Sequence, residues 1–115
     1  MSEETTDLER VALIQHLDPD GVEGYLEAHE EVPRPVIEQM RESGVHRFLL
    51  FVEDTLSIGY IEVEDLDTFA EEYSANPECQ EWEERVGQYK ESGVDTDEAS
   101  LPLMDRVWSL EDEPE

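Results

Sequence analysis

Lysine is almost missing from this chain. Lys90 is the only one in 115 residues, and six arginines supply the remaining cations. Set against 33 aspartates and glutamates, they leave a formal charge of −26. Nucleic acids and anionic membrane surfaces are recognised by basic patches, so a chain this poor in cations is not built for either. Cysteine is equally scarce. Cys79 stands alone, which excludes an intramolecular disulfide and a cysteine-based zinc site. No apolar run approaches the roughly 20 residues of a membrane-spanning helix. The first nine residues are acidic and lack the apolar core of a secretory signal. The expectation is a soluble, cytoplasmic protein.

What is present in abundance is acid, and it is spread evenly. Carboxylates interleave with apolar positions along the whole length instead of collecting in a tail. That pattern reads as the solvated surface of a folded domain, as in proteins that work in concentrated salt, and not as a disordered acidic segment. The length suits one domain with one modest core. Residues 1–9 and 111–115 read as acidic, flexible ends around a domain spanning 10–110.

Arg10 to Leu17 alternates with apolar groups on both sides, as in a strand covered on both faces. Asp18-Pro19 reads as a helix start, with Val22, Tyr25, Leu26 and His29 on one helical face. Pro33 and Pro35 interrupt that helix. A second then runs with Val36, Ile37 and Met40 inward and stops at Ser43-Gly44. His46–Val52 reads as a buried strand, Glu53-Asp54 as a turn and Thr55–Val63 as the hairpin partner. A short helix over Asp67–Ser74 precedes Asn76-Pro77, which caps another with Cys79, Trp82, Val86 and Tyr89 on its apolar face. A polar loop over 93–100 leads to a last strand over Leu101–Leu110.

Strand, helix pair, hairpin, helix pair, strand is the βαββαβ, ferredoxin-like order. The predicted class is α+β, with a four-stranded antiparallel sheet and helices on one face. Apolar residues on both sides of the strands predict a cover for the bare face. In so short a chain the cover is a second copy, giving a homodimer with the last strand and Trp108 near the contact.

Tyr25 and His29 lie four residues apart, so both project from one helix face. A phenol and a group that titrates near neutrality suggest proton transfer on a small molecule. Taken alone, His29 fits a satisfied, partly buried histidine better than a catalyst, and Tyr25 and Trp82 fit core aromatics. An indole face is nonetheless a stacking surface for the apolar side of a sugar ring. There is no phosphate-binding glycine motif, HExxH or nucleophile motif. His16, His29 and His46 share no metal-ligand spacing, so no metal and no cofactor is expected, and His16 and His46 read as structural.

Five segments, in order, carry a resemblance over 10–110. They are Gly-Tyr-Leu-Glu-Ala-His-Glu (24–30), Ser-Gly-Val-His-Arg-Phe (43–48), Tyr-Ile-Glu-Val-Glu (60–64), Pro-Glu-Cys-Gln-Glu-Trp (77–82) and Met-Asp-Arg-Val-Trp-Ser-Leu (104–110). Together they resemble the L-rhamnose mutarotase family. The resemblance implies a dimeric α/β barrel and a cofactor-independent isomerase that interconverts the α and β anomers of a free deoxy sugar. It implies that His29 is the catalytic proton donor and that Tyr25 contacts the sugar. Phe48 falls at a second substrate-binding tyrosine, keeping the ring and losing the hydroxyl. Trp82 matches the first of two adjacent tryptophans, and Glu83 replaces the second. A mutarotase for another sugar, a non-catalytic sugar-binding or structural dimer and, more distantly, a cofactor-independent monooxygenase stay open beside it.

Self-repulsion at −26 destabilises a compact state, and salt screens it. The melting temperature should therefore rise strongly with added KCl. A flat response from low to molar salt, followed by circular dichroism, would contradict the solvated-surface reading.

Overall fold

The computed structural model describes residues 8–92 and 101–114; the segment read as a polar loop, 93–100, lies outside the described residues. Strand β1 (Glu9–Leu17) is central. It pairs antiparallel with β3 (Leu56–Val63), and β3 pairs with β2 (Val45–Glu53) across a turn in which Asp54 takes φ +53°. On its other edge β1 takes β4 (Lys90–Ser92) at His16 and Leu17, and β5 (Leu103–Met104) at Ala12 and Leu13. The order β2-β3-β1-β4, with β1 and β3 in the middle, is that of the βαββαβ ferredoxin-like fold.

A strand period of two sets the faces. Leu13, Gln15 and Leu17 of β1, with Ser57, Ile61 and Val63 of β3, are buried on one side. That side is covered by α1 (Val22–Ala28), α2 (Arg34–Glu42), α3 (Leu66–Ala75) and α4 (Pro77–Gly87). Val36, Phe69, Tyr73, Cys79, Trp82 and Val86 reach down from the helices to meet Leu13, Val45, Ile61 and Val63 in one core. Each full burial of this kind contributes about 1.5–3 kcal/mol.

Local chemistry explains most helix ends. Asp65 accepts a hydrogen bond from the Thr68 N–H at the start of α3. Asn76 Oδ1 accepts from the N–H groups of Glu78 and Cys79 and opens α4, while its Nδ2 donates to Gln39 Oε1 on α2 at 2.7 Å. Gly44 closes α2 at φ +95°, a backbone conformation suited to glycine. Asp18 stands at the helix start as read, but its side chain makes no cap bond, and a 3₁₀ turn over Pro19–Gly21 precedes α1.

Two expectations need correction. The strand read over Leu101–Leu110 is only the two-residue β5. The edge begins earlier, at Lys90, and Leu110–Asp112 form a 3₁₀ turn beside an Arg10–Glu111 ion pair. The second strand is not buried within one chain: Leu49 and Phe51 are exposed, as is Met104 on β5. Both misreadings have one cause, since apolar content alone does not say that a residue is covered within the chain.

Gly21 allows a close approach of one backbone to another. A Cβ there would meet the Tyr89 carbonyl oxygen at 2.7 Å and its Cα at 2.8 Å. Both are backbone atoms and cannot swing aside. Gly21→Ala should destabilise the chain by about 1–3 kcal/mol through overpacking. An unchanged urea midpoint would contradict the contact.

Candidate active site

β1 and β3 pair in a register that sets Gln15 directly opposite Ser57, both pointing toward the helices. Two buried polar side chains side by side on an apolar face need a partner. Tyr25 supplies it from α1. Its hydroxyl lies 2.9 Å from Ser57 Oγ and accepts from Gln15 Nε2 at 3.4 Å. Burial raises the Tyr25 pKa, so the phenol stays neutral.

The same residue positions His29 at the end of α1. The His29 Nδ1 is 2.8 Å from the Tyr25 carbonyl oxygen. A carbonyl can only accept, so Nδ1 carries the hydrogen and Nε2 is left with a lone pair. Burial lowers the His29 pKa, outweighing the hydrogen bond to Tyr25, which raises it; the nearby Lys90 charge adds to the lowering. The ring packs 4.4 Å from that of Tyr25 and meets Trp82 edge-on at 5.1 Å. Arg85 lies over the indole at 4.8 Å.

Gln15, Tyr25, His29 and Trp82 line a cavity of about 700 Å³ between sheet and helices, within the size range of small-molecule sites. Leu13, Phe48, Leu50 and Val86 give it apolar walls. Its polar groups are Gln15, His29, Tyr73, Glu83 and Lys90, with Arg41, His46 and Arg47 from the end of α2 and the start of β2. Tyr73 donates to Glu83 Oε2 at 2.5 Å, and Lys90 Nζ donates to Glu83 Oε1 at 3.2 Å and to Gln15 Oε1 at 2.7 Å. A continuous hydrogen-bonded chain thus runs Tyr73–Glu83–Lys90–Gln15–Tyr25–Ser57. Cys79, by contrast, is fully buried, and burial pushes its thiol up to about 11, the range of an inert group.

Residues 10–110 match the L-rhamnose mutarotase family. The chain belongs to that family. Membership makes it a sugar mutarotase, an isomerase. No curated protein matches this mutarotase in sequence. Among solved structures, an L-rhamnose mutarotase from Formosa agariphila is 18% identical, with 89% of this chain and 98% of that one covered, at a TM-score of 0.68. Tetracenomycin F2 cyclase from Streptomyces glaucescens, a type-II polyketide cyclase, is 27% identical with coverage of 88% and 95% and a TM-score of 0.54. An antibiotic biosynthesis monooxygenase shares the fold at 16% identity and a TM-score of 0.56, with coverage of 85% and 97%.

All five sequence-derived site residues of the mutarotase line the one cavity: Tyr25, His29, Phe48, Trp82 and Glu83. His16 is exposed and outside it, and His46 sits at its edge, 2.7 Å from Glu64. The sequence reading missed Gln15, Ser57, Tyr73 and Lys90. Gln15 had a signal, being the one polar side chain among Val11, Leu13, Gln15 and Leu17 on the inward face of β1. Lys90 had another, as the chain's only lysine directly after an apolar helix face.

Proposed function

We propose that this chain exchanges the α and β anomers of a free sugar, L-rhamnose first among the candidates, with His29 carrying the proton. The observation behind this is the fixed tautomer of His29: a neutral ring, tethered through Nδ1, with an acceptor Nε2 in a walled cavity. Nε2 takes the proton of the anomeric hydroxyl while the C1–O5 bond breaks and the C1=O1 bond forms. The imidazolium then returns the proton to O5. Both oxygens are bonded to C1, so one imidazole serves both without moving far. The aldehyde turns about C1–C2, and the reverse steps close the ring on its other face. The donor role implied by the family resemblance is thus the second half of a shuttle that begins as a base.

Tyr25 holds the imidazole and leaves the sugar to others. Its hydroxyl accepts from Gln15 and shares a second hydrogen bond with Ser57 Oγ, and its carbonyl receives the His29 ring. Trp82 offers the apolar face against which a sugar ring packs, and Phe48 keeps that wall apolar where a tyrosine would add a hydroxyl. No cofactor is required by these steps.

A second copy is proposed to cover the bare sheet face. Leu49, Phe51 and Met104 are exposed there, 41–58% accessible, and Trp108 follows β5 at 63%. A contiguous apolar face of this kind marks an interaction surface. A second reading of the site draws on the 27% identity to the polyketide cyclase and on the apolar walls. In it, His29 takes a proton from a carbon acid on an apolar ring precursor.

Saturation-transfer NMR with a panel of free sugars tests the main reading, since it reports anomer exchange directly. The lowered pKa means the neutral ring survives as pH falls through 6.5. Exchange should be flat from pH 8 to about 6.5 and decline only below that. His29→Ala should lose about 10²–10⁴-fold in rate with its melting curve intact. Full activity in that variant, or a midpoint above pH 6.5, would refute the role. Phe51→Glu should convert a dimer to a monomer in light scattering; a monomeric wild type would refute the dimer.

A further inference from the structure

Cations are distributed in an unexpected way. All six arginines are exposed, while the single lysine is buried, its side chain 7% accessible, and lines the cavity. Of the 33 acidic residues, only Glu83 lines that cavity among the described residues, and it is the partner of Lys90. A buried ion pair is a poor device for stability, because apolar side chains of the same volume usually do as well or better. Its placement in the site calls for a role there.

Hydrogen-bond counting supplies one. An ammonium has three donors. Two of them go to Gln15 Oε1 and Glu83 Oε1, and the third has no partner among the described residues. Each Glu83 oxygen receives one bond, from Lys90 or from Tyr73, and keeps a second lone pair. The cavity therefore holds a spare donor and a spare acceptor on atoms 3.2 Å apart. Adjacent sugar hydroxyls present that same pattern, since each can accept and donate. The pair lines the same cavity as His29, so a sugar held at the imidazole lies beside it.

We propose that Lys90 is a specificity-determining residue: its free N–H donates to one substrate hydroxyl while Glu83 accepts from that hydroxyl or its neighbour, so that the site selects a sugar carrying hydroxyls at that position. This rests on the sugar-mutarotase reading. It also gives the Glu83 departure a function, because the carboxylate both holds the ammonium in the cavity and completes the polar contact.

The test uses the full chain and a set of sugars that differ by single hydroxyls. These are L-rhamnose, its analogues lacking the hydroxyl at C2, C3 or C4, and L-mannose, which adds one at C6. Anomer exchange and binding are measured by NMR for wild type, Lys90→Met and Lys90→Met/Glu83→Gln. The double variant leaves no uncompensated buried charge and stands in if the single one fails to fold. Both variants should lose about 10- to 100-fold in kcat/KM on sugars that carry the selected hydroxyl. On the one analogue that lacks it, the loss should be smaller by that factor, since only effects common to all the sugars remain. A uniform penalty across the set, or none, overturns the contact, because a purely structural pair would not tell the sugars apart. A wild type that binds these sugars without exchanging them overturns the mutarotase reading instead, and the Kd ratios across the same set then decide Lys90. Binding of none of them overturns both.

Discussion

A buried phenol hydroxyl must be hydrogen-bonded, and the architecture of this site follows from how Tyr25 meets that demand. Helix α1 has only seven residues, too few to hold itself in place. What fixes it is the docking of Tyr25 between Gln15 and Ser57, which the β1–β3 register sets opposite each other. The other end of the same residue, its carbonyl, receives the His29 ring. Sheet register, helix position and imidazole tautomer are therefore linked through one side chain. A one-residue slip in the sheet would turn Gln15 or Ser57 outward and undo all three.

Charge is organised on the same plan. The outer surface is overwhelmingly anionic, a state that keeps the protein solvated and repels like-charged neighbours. Inside the cavity the balance is different, with one acid and one buried ammonium joined by hydrogen bonds. An imidazole surrounded by carboxylates would have its pKa raised. Burial and the nearby Lys90 instead keep it low and the ring neutral. The wall of the site thus shields its chemistry from the field of its own surface.

Much of this was legible in the sequence, for identifiable reasons. Proline and asparagine at 76–77, glycine at 44 and the Tyr25–His29 spacing each act through local backbone geometry, and local geometry is written in neighbouring residues. The register that joins Gln15 to Ser57 is set by residues more than forty positions apart, and no short window contains it. The same holds for Lys90, whose partners lie on β1 and α4. Apolar residues at Leu49, Phe51 and Trp108 predicted a covered surface, and the single chain leaves all three exposed. The final strand was overread because an apolar segment near a terminus looks alike whether it pairs with a sheet or faces outward.

Asn76 ends α3, opens α4 and, through its side-chain amide, holds Gln39 of α2. Three of the four helices are thereby fastened at one point. They should open and close as a single cooperative unit, whereas α1 is anchored apart from them, by Tyr25, by Ala28 on the core and by Gly24 against the Tyr89 ring. His29 consequently stands at the end of the shortest α-helix, edge-on to Trp82 on one of the three helices that Asn76 ties together. Local opening of α1 would uncover the cavity and release His29 together while the other three helices stay joined.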